Sequence, residues 1–306
     1  MIKQNLQFNT PEYYDLFMTC HSHGWKNLSP FEWNNDSNIL RVSVFLADEP
    51  IDIEIKQNNR KICAALTSKK KLNGLQLKQA QDIIIRSLNL DVDTSDLLKI
   101  AMRIGSDYEK IIKNGAGRLL RSSTLWEDAA KTLFTTNCSW SLTKKMCRAV
   151  CSENFSKQSP SGVYPFPKPG VIAGYTQEKI QKMMPIGYRA EYFISLAKRF
   201  HEDPYLQDIE LNSFEYKDAD KLVRAIKGFG DYAVAHLLIM SGYYNEVPID
   251  TVVVSYLKEN YRVRKPQSFI DRTYKKWGHY KWWGLTLQRY LCNSSFHNFS
   301  FSMRMI

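Results

Sequence analysis

The sequence predicts an α+β fold, in which a small antiparallel β-sheet forms an N-terminal lobe packed on a mainly helical body. Three observations carry this prediction. Apolar and polar residues alternate between residues 40 and 66, which is the period of half-buried β-strands. From residue 77 onward the apolar residues recur at helical spacing instead. The 306 residues are 44% apolar and 13% aromatic, which is enough to build a buried core.

Three strands are predicted in the N-terminal lobe. Their inward-facing residues form three alternating sets, namely Leu40, Val42, Val44 and Leu46, then Ile51, Ile53 and Ile55, then Ile62, Ala64 and Leu66. Turns are expected at residues 48–50 and 58–59, where Pro and Asn residues interrupt the pattern. One face of the resulting sheet is expected to be buried.

Helical signals follow the sheet. Leu77, Ala80, Ile84 and Leu88 predict a first helix, and Thr124 with Glu127 forms a capping box that predicts a helix through Phe134. Residues 159–170 contain four prolines and are expected to form a stiff loop. We therefore predict two domains, a β-rich lobe ending in a helix over residues 1–105 and a helical domain over residues 106–306.

Composition excludes several classes of protein. Only 14 glycines and 11 prolines are present, so collagen-like and low-complexity sequence is excluded, and the apolar content excludes disorder. No apolar run approaches the roughly 18 to 20 residues of a membrane span. The first twenty residues contain polar and acidic side chains where a signal peptide would be apolar. We expect an intracellular protein with no membrane partner.

The six cysteines are scattered and predict no disulfide framework. Cys147 and Cys151 lie one helical turn apart, but no second pair lies nearby to complete four metal ligands. We expect ordinary thiols and no metal site.

The net charge of +11 is unevenly distributed along the chain. Residues 1–105 contain 13 basic and 12 acidic side chains, whereas residues 106–306 contain 29 basic and 19 acidic ones. This asymmetry is typical of a protein whose later segment binds a polyanion. A soluble domain that is merely basic accounts for the charge equally well.

Residues 218–241 predict a helical hairpin. A short helix over residues 218–226 is followed by the turn Lys227-Gly228-Phe229-Gly230 and by a more apolar helix over residues 231–241. Two glycines around one apolar residue allow a sharp turn, and Phe229 can fill the gap between the helices. The N–H groups of the turn and of the second helix are then suited to bind a phosphate oxygen. The alternative is an ordinary αα-hairpin with a glycine cap.

Asp250 follows the hairpin and precedes a segment, residues 251–257, that reads as a helix. Its structural role would be to cap that helix, and its functional role would be a carboxylate at the mouth of a cleft. A Gly-hydrophobe-Gly hairpin followed twenty residues later by Pro248-Ile249-Asp250 resembles the signature of the helix-hairpin-helix (HhH-GPD) DNA glycosylase superfamily, in which this aspartate is catalytic.

Other segments extend the resemblance to the alkylpurine (3-methyladenine) and 8-oxoguanine glycosylase branches. Residues 25–33 and the small sheet look like the β-lobe of these enzymes, and residues 133–140 look like the helix and loop that push a side chain into the duplex. Similar segments also occur at residues 164–167, 187–190 and 277–283.

The resemblance implies that the partner is double-stranded DNA containing a damaged base, which the enzyme extrudes into a pocket. The hairpin residues would grip the backbone 3′ of the lesion, namely Lys227, Gly228, Phe229, Gly230 and Asp231. Asn137 would fill the vacated stack, although a loop residue that bonds its own backbone is an alternative for it.

The resemblance also implies the chemistry. Breaking an N-glycosidic bond builds positive charge on the sugar, which the carboxylate of Asp250 would stabilise while it orients a water. Enzymes of the family that also cut the strand have a lysine at the second position after the last hairpin glycine, and here that residue is Tyr232. Tyrosine cannot form a Schiff base, so we expect a monofunctional glycosylase that leaves an abasic site.

Aromatic side chains are expected to line the base pocket, since cationic alkylated purines stack well on electron-rich rings. The candidates are Tyr232, Trp126, Trp140, Tyr188 and Trp25, although each of the last four can equally serve the core. We expect His236 to be a core residue. The iron-sulfur cluster of some relatives is excluded because only Cys292 follows Asp250, so no cofactor is expected.

The leading interpretation is thus a monomeric, DNA-associated glycosylase for alkylated purines. One alternative is a glycosylase for another modified base, such as a modified cytosine or an oxidised purine. Another is a non-catalytic helix-hairpin-helix DNA-binding protein in which Asp250 is only a cap. A lyase or nuclease, which would break strands without alkali, is the third.

Overall fold

The computed structural model describes residues 1–203, 206 and 211–292, and its contacts divide the chain into two compact units. The first unit comprises the described residues of Met1–Val92, Arg118–Glu210 and Ile226–Gly228. The second comprises Asp93–Gly117, Leu211–Ala225 and Phe229–Ile306, as far as these residues are described. The chain leaves the first unit after residue 92 and returns to it at residue 118. The domains predicted over residues 1–105 and 106–306 follow the change from strand to helix pattern rather than contacts, and they stay a prediction.

A five-stranded antiparallel sheet lies in the first unit, with the strand order β1-β5-β4-β3-β2. The strands are β1 (Ile2–Asn9), β2 (Phe31–Asn34), β3 (Ile39–Leu46), β4 (Glu49–Asn58) and β5 (Lys61–Ser68). The three central strands confirm the prediction, and every inward residue named for them is buried. The first turn is centred on Ala47 and Asp48, one residue earlier than expected, because Glu49 and Pro50 already pair with β3.

The two edge strands have no counterpart in the sequence prediction. In β1 the side chains alternate only between half-buried and exposed, so the apolar alternation that marks the central strands is weak there. The edge strand β2 is four residues long, which is too short for a period to be recognised.

The helices, in chain order, are α1 (Leu16–Cys20), α2 (Gly74–Leu88), α3 (Ser95–Ile104), α4 (Ser106–Lys113), α5 (Leu125–Thr135), α6 (Trp140–Val150), α7 (Pro169–Ala173), α8 (Gln177–Met183), α9 (Arg189–Glu202), α10 (Tyr216–Arg224), α11 (Asp231–Met240), α12 (Thr251–Tyr261), α13 (Pro266–Thr273) and α14 (Lys281–Cys292). Helices α3, α4 and α10 to α14 belong to the second unit. No helix of the described residues is long and apolar enough to cross a membrane.

Helix α5 is the central element of the first unit, and every residue from Leu125 to Phe134 is buried. Thr124 caps it by accepting a hydrogen bond from the N–H of Glu127 at 3.2 Å. The second half of the predicted capping box is replaced, because the Glu127 carboxylate accepts hydrogen bonds from the N–H and hydroxyl of Ser123. Glu127 also pairs with Lys131 at 2.6 Å, and both side chains are buried.

The proline-rich loop is shorter than the sequence predicts. It ends at Lys168, and α7 begins at Pro169, a residue that the sequence pattern places in the loop. Proline is well suited to the first position of a helix, because its ring fixes φ there and no intrahelical N–H is needed. The prolines before it, Pro160, Pro165 and Pro167, remain outside helices as expected.

Candidate active site

The hairpin lies where the sequence predicts it. Helices α10 and α11 flank a turn over residues 225–230, and each begins or ends within two residues of the expected position. Gly228 has φ +89°, and a Cβ atom there would stand 2.6 Å from the ring of Tyr192. A side chain at this position would strain the backbone and clash with the neighbouring ring.

Gly230 is the N-cap of α11 and has an ordinary φ of −92°. It is exposed, and a Cβ atom built on it meets nothing within 4 Å. The backbone here is open to the close approach of a ligand, and the first turn of α11 directs its N–H groups and the positive end of the helix dipole toward that space. Phe229 is half-buried beside it.

Within the described chain, Arg224 and Lys227 of the hairpin form three ion pairs. Arg224 donates to Asp231 at 2.8 Å and to Asp220 at 2.8 Å, so it links the two hairpin helices and offsets the acidic charge at the start of α11. In the first unit, the exposed Lys227 pairs with Glu191 at 2.5 Å. The hydrogen bond from Lys227 to Glu191 raises the pKa of the lysine, which favours its protonated form.

Asp250 caps α12, which continues to Tyr261 rather than ending near residue 257. Its Oδ1 accepts a hydrogen bond from the N–H of Val253 at 2.7 Å, and the residue is half-buried. The other carboxylate oxygen has no hydrogen-bond partner among the described residues. The predicted cap is therefore present, and it fixes the direction of the carboxylate while one oxygen remains available to a ligand.

Asn137 lies in the loop between α5 and α6 and is exposed. Its φ of +46° is in the left-handed region, which asparagine tolerates better than most residues. The side-chain amide makes no hydrogen bond to any part of the chain that the structure describes. This geometry argues against the alternative in which Asn137 serves to bond its own backbone.

Arg189 is a neighbour of this loop that the sequence analysis did not single out. Its side chain donates to the carbonyl of Thr136 through Nε at 3.1 Å and through Nη2, and Nη2 also donates to the carbonyl of Asn137 at 3.1 Å. Arg189 lies within the segment 187–190 that supported the family resemblance, but its contact with residues 52 and 53 positions earlier has no signal in a single sequence.

The aromatic candidates fall into two groups in the first unit. Trp25 and Trp126 are only 1% and 4% exposed, and their indole N–H groups donate to Asp128 and to the carbonyl of Pro167. Their burial favours the core interpretation. Trp140 and Tyr188 are 40% and 53% exposed, and the Arg189 guanidinium lies 4.7 Å from the centroid of the Tyr188 ring.

Tyr232 belongs to the second unit, where it is half-buried on the first turn of α11, 5.7 Å from the ring of the buried His236. The structure thus distributes the predicted site residues over both units. Phe229 to Tyr232 and Asp250 lie in the second, whereas Asn137, Trp140, Tyr188, Lys227 and Gly228 lie in the first.

No group of three or more His, Cys, Asp or Glu side chains in the described part of the chain is arranged to hold a metal ion. Cys147 and Cys151 are free cysteines. Burial raises the pKa of both thiols, that of Cys147 to about 12, so neither is activated as a thiolate.

Comparison with solved structures identifies similar folds. A 3-methyladenine DNA glycosylase from Archaeoglobus fulgidus matches with a TM-score of 0.72 and 16% identity over 93% of this chain and 98% of that one. An 8-oxoguanine glycosylase/lyase from Clostridium acetobutylicum in its apo form matches with a TM-score of 0.70 and 14% identity over 94% and 95%. The same enzyme in complex with double-stranded DNA that has cytosine opposite 8-oxoguanine matches with a TM-score of 0.67 and 14% identity over 90% and 92%.

No protein-family model matches the chain, and no curated protein sequence matches it. The likeness to solved structures establishes the fold. It confirms the predicted α+β fold, which this chain shares with the two DNA glycosylases.

Proposed function

We propose that this protein is a monofunctional DNA N-glycosylase. It acts as a monomer on double-stranded DNA, extrudes a damaged base, hydrolyses the N-glycosidic bond and leaves an abasic site. The fold supports the class of enzyme, since the similar solved structures are named as DNA glycosylases.

The carboxylate of Asp250 is the observation that carries the proposal. It is fixed by the cap of α12 through one oxygen, and its second oxygen is not engaged within the described chain. Cleavage of the glycosidic bond develops positive charge on the deoxyribose, and a preorganised anion beside the anomeric carbon stabilises that charge. The same oxygen is suited to orient the water that attacks the sugar.

The hairpin supplies the grip on DNA. The open space at Gly230 and the N–H groups at the start of α11 suit a phosphate oxygen, which needs no side chain for recognition. Contacts of this kind are independent of sequence, as expected for an enzyme that searches for lesions.

The monofunctional assignment rests on Tyr232, which stands where the strand-cutting enzymes of the family have a lysine, and on Lys227 in the hairpin turn. Tyr232 has no amine to attack the sugar. Lys227, the lysine of the turn, pairs with Glu191, which raises its pKa and so disfavours the neutral amine that a Schiff base requires.

Alkylated purines are the substrate class that we propose. A cationic purine is attracted to the face of an aromatic ring, and Trp140 and Tyr188 offer exposed rings while Tyr232 is half-buried. An oxidised purine is the second candidate, because the Clostridium acetobutylicum structures are of an 8-oxoguanine glycosylase/lyase. Position 232 is tyrosine rather than the lysine of the 8-oxoguanine branch, and this favours an alkylated purine over an oxidised one.

The proposal is tested by incubating the protein with duplexes that each contain one alkylated, oxidised or deaminated base. Each reaction is divided between hot alkali and a mild quench, and a third portion is treated with borohydride. We expect strand breaks at an alkylated purine only after alkali and no trapped adduct. Breaks before alkali or a borohydride-trapped adduct would contradict the monofunctional assignment, and no release of any base would contradict the enzyme.

A further inference from the structure

In the loop that connects α5 to α6, the side chains of Thr136, Cys138 and Ser139 form hydrogen bonds. The Asn137 side chain forms none within the described chain. The last carbonyls of a helix lack intrahelical partners, and here side chains satisfy them. The Thr136 hydroxyl donates to the carbonyl of Leu133 at 2.8 Å, and the Thr143 hydroxyl donates to that of Phe134 at 2.9 Å. On the far side of the loop, Ser139 caps α6 through the N–H of Leu142.

Two further carbonyls, those of Thr136 and Asn137, both accept hydrogen bonds from Arg189. The guanidinium group bridges the residue before the left-handed bend and the residue within it. Because the planar group has several donors in fixed directions, it can hold two consecutive carbonyls at once, which an ammonium group does less well.

Arg189 is committed to this contact rather than to solvent. It is only 4% exposed, and its guanidinium lies 4.7 Å from the centroid of the Tyr188 ring. No carboxylate of the described residues forms an ion pair with it. Its donors are thus directed at two backbone carbonyls beneath an exposed residue, which is an unusual use of a buried arginine.

We infer that Arg189 is a positioning residue that fixes the left-handed bend at Asn137 in the DNA-free protein, so that the Asn137 side chain projects before the duplex is bound. This inference deepens the proposed function and rests on it. Preorganisation of the loop removes the cost of ordering it when the nucleotide is extruded. It follows that Arg189 acts through the side chain of Asn137 and has little effect on extrusion when that side chain is missing.

A double-mutant cycle tests this coupling. The variants are Arg189→Met, Asn137→Gly and the pair, with Lys198→Met as a control that removes a positive charge from the exposed side of the same helix α9. Glycine keeps the positive φ at residue 137 while deleting the side chain. Insertion is followed with a duplex in which 2-aminopurine stands opposite a stable abasic analogue, because the fluorescence reports unstacking without knowledge of the lesion.

We expect Arg189→Met to weaken the fluorescence response about tenfold in the native background and by less than about twofold in the Asn137→Gly background. Lys198→Met should leave the response unchanged. Equal losses in both backgrounds would overturn the inference, because Arg189 would then act only on the stability of the protein. If Arg189→Met fails to fold, Arg189→Lys replaces it, since its ammonium retains one of the hydrogen bonds.

Hydrogen exchange of the DNA-free protein separates this inference from the proposed function. Arg189→Met should speed exchange in residues 133–140 by about tenfold or more while leaving the β-sheet unchanged, and an unchanged loop would overturn the inference. If the native protein inserts no side chain and releases no base, the proposed function fails. This result is obtained with the native protein alone and does not depend on the hydrogen exchange of the loop.

Discussion

Gly228 and Gly230 flank the same residue of the hairpin but meet different constraints. Gly228 needs its positive φ and contacts the ring of Tyr192, whereas Gly230 has an ordinary φ and faces open space. Gly228 is therefore required for the conformation of the turn, whereas Gly230 is required for its proposed binding of a phosphate.

We predict that Gly228→Ala destabilises the protein by about 1–3 kcal/mol, because strain and a steric clash add. Gly230→Ala should lower the melting temperature less than Gly228→Ala, through the poorer N-cap alone, and should weaken DNA binding, since the new methyl group occupies the space left for a phosphate. Thermal unfolding and fluorescence-anisotropy binding measure both effects. A Gly230→Ala protein with native affinity would contradict the phosphate-binding role of the turn.

Helix α5 contains three buried charged residues, Glu127, Asp128 and Lys131. Asp128 accepts from the N–H of Ser122 at 2.8 Å and pairs with Arg86 at 3.0 Å. Burial by itself raises the pKa of this carboxyl, but the Arg86 and Arg121 guanidinium groups and the hydrogen bonds from Ser122 outweigh it and hold the pKa below its ordinary value.

A carboxyl whose pKa is depressed by folding stabilises the protein above its unfolded-state pKa, and that contribution is lost as the pH falls through the folded-state value. We predict that Asp128→Asn is less stable than the native protein by roughly 3–5 kcal/mol at pH 7, and that the difference narrows as the pH falls below the ordinary pKa of an aspartate, about 3.9. Urea unfolding across this range measures it, with the exposed Asp36→Asn as control. A difference that is constant with pH would contradict the ionic role of Asp128.

The sequence predicts elements well where burial is one-sided. Strands β3 to β5 and helix α2 show a buried face beside a polar one, so their apolar periods are readable. Helix α5 is buried on all sides over ten residues, whereas an apolar stripe in its sequence contains only Trp126, Ala129, Ala130 and Leu133. The ion pair between Glu127 and Lys131 is at the ordinary spacing of a surface pair, so its burial could not be recognised.

For the candidate site, the sequence predicts the positions that local spacing defines and misses those that depend on long-range contacts. Asp250 and the hairpin are defined by local spacing, and the structure places each in the expected element. Arg189 acts over more than fifty residues of chain, and the burial of Trp25 and Trp126 depends on contacts across the first unit. Such long-range contacts arise from packing within the first unit, and they leave no periodic signal in the sequence.

At the scale of the whole molecule, charge is expected to govern the affinity for DNA. The net charge is +11, and α6, which begins three residues after Asn137, exposes Lys144, Lys145 and Arg148 with no ion-pair partner among the described residues. Each phosphate that such a side chain neutralises releases a condensed counterion, so affinity falls as salt rises.

We predict that the double variant Lys144→Gln/Lys145→Gln lowers the slope of log affinity against log salt by about 0.9 for each phosphate that is no longer neutralised. The matched variant Lys69→Gln/Lys70→Gln removes the same charge near the end of β5 and should leave the slope nearly unchanged. Equal slopes for the two variants would mean that only net charge matters and that α6 does not face the DNA.

The central claim is that Asp250 performs chemistry in addition to capping α12, and Asp250→Asn tests it most directly. Asparagine is as good an N-cap as aspartate, so the unfolding free energy should change by less than about 0.5 kcal/mol. Excision measured in single turnover with saturating protein should fall by at least about 100-fold, because the anion that stabilises the sugar cation is gone. Native excision by a stable Asp250→Asn protein would contradict the claim and leave Asp250 as a cap alone.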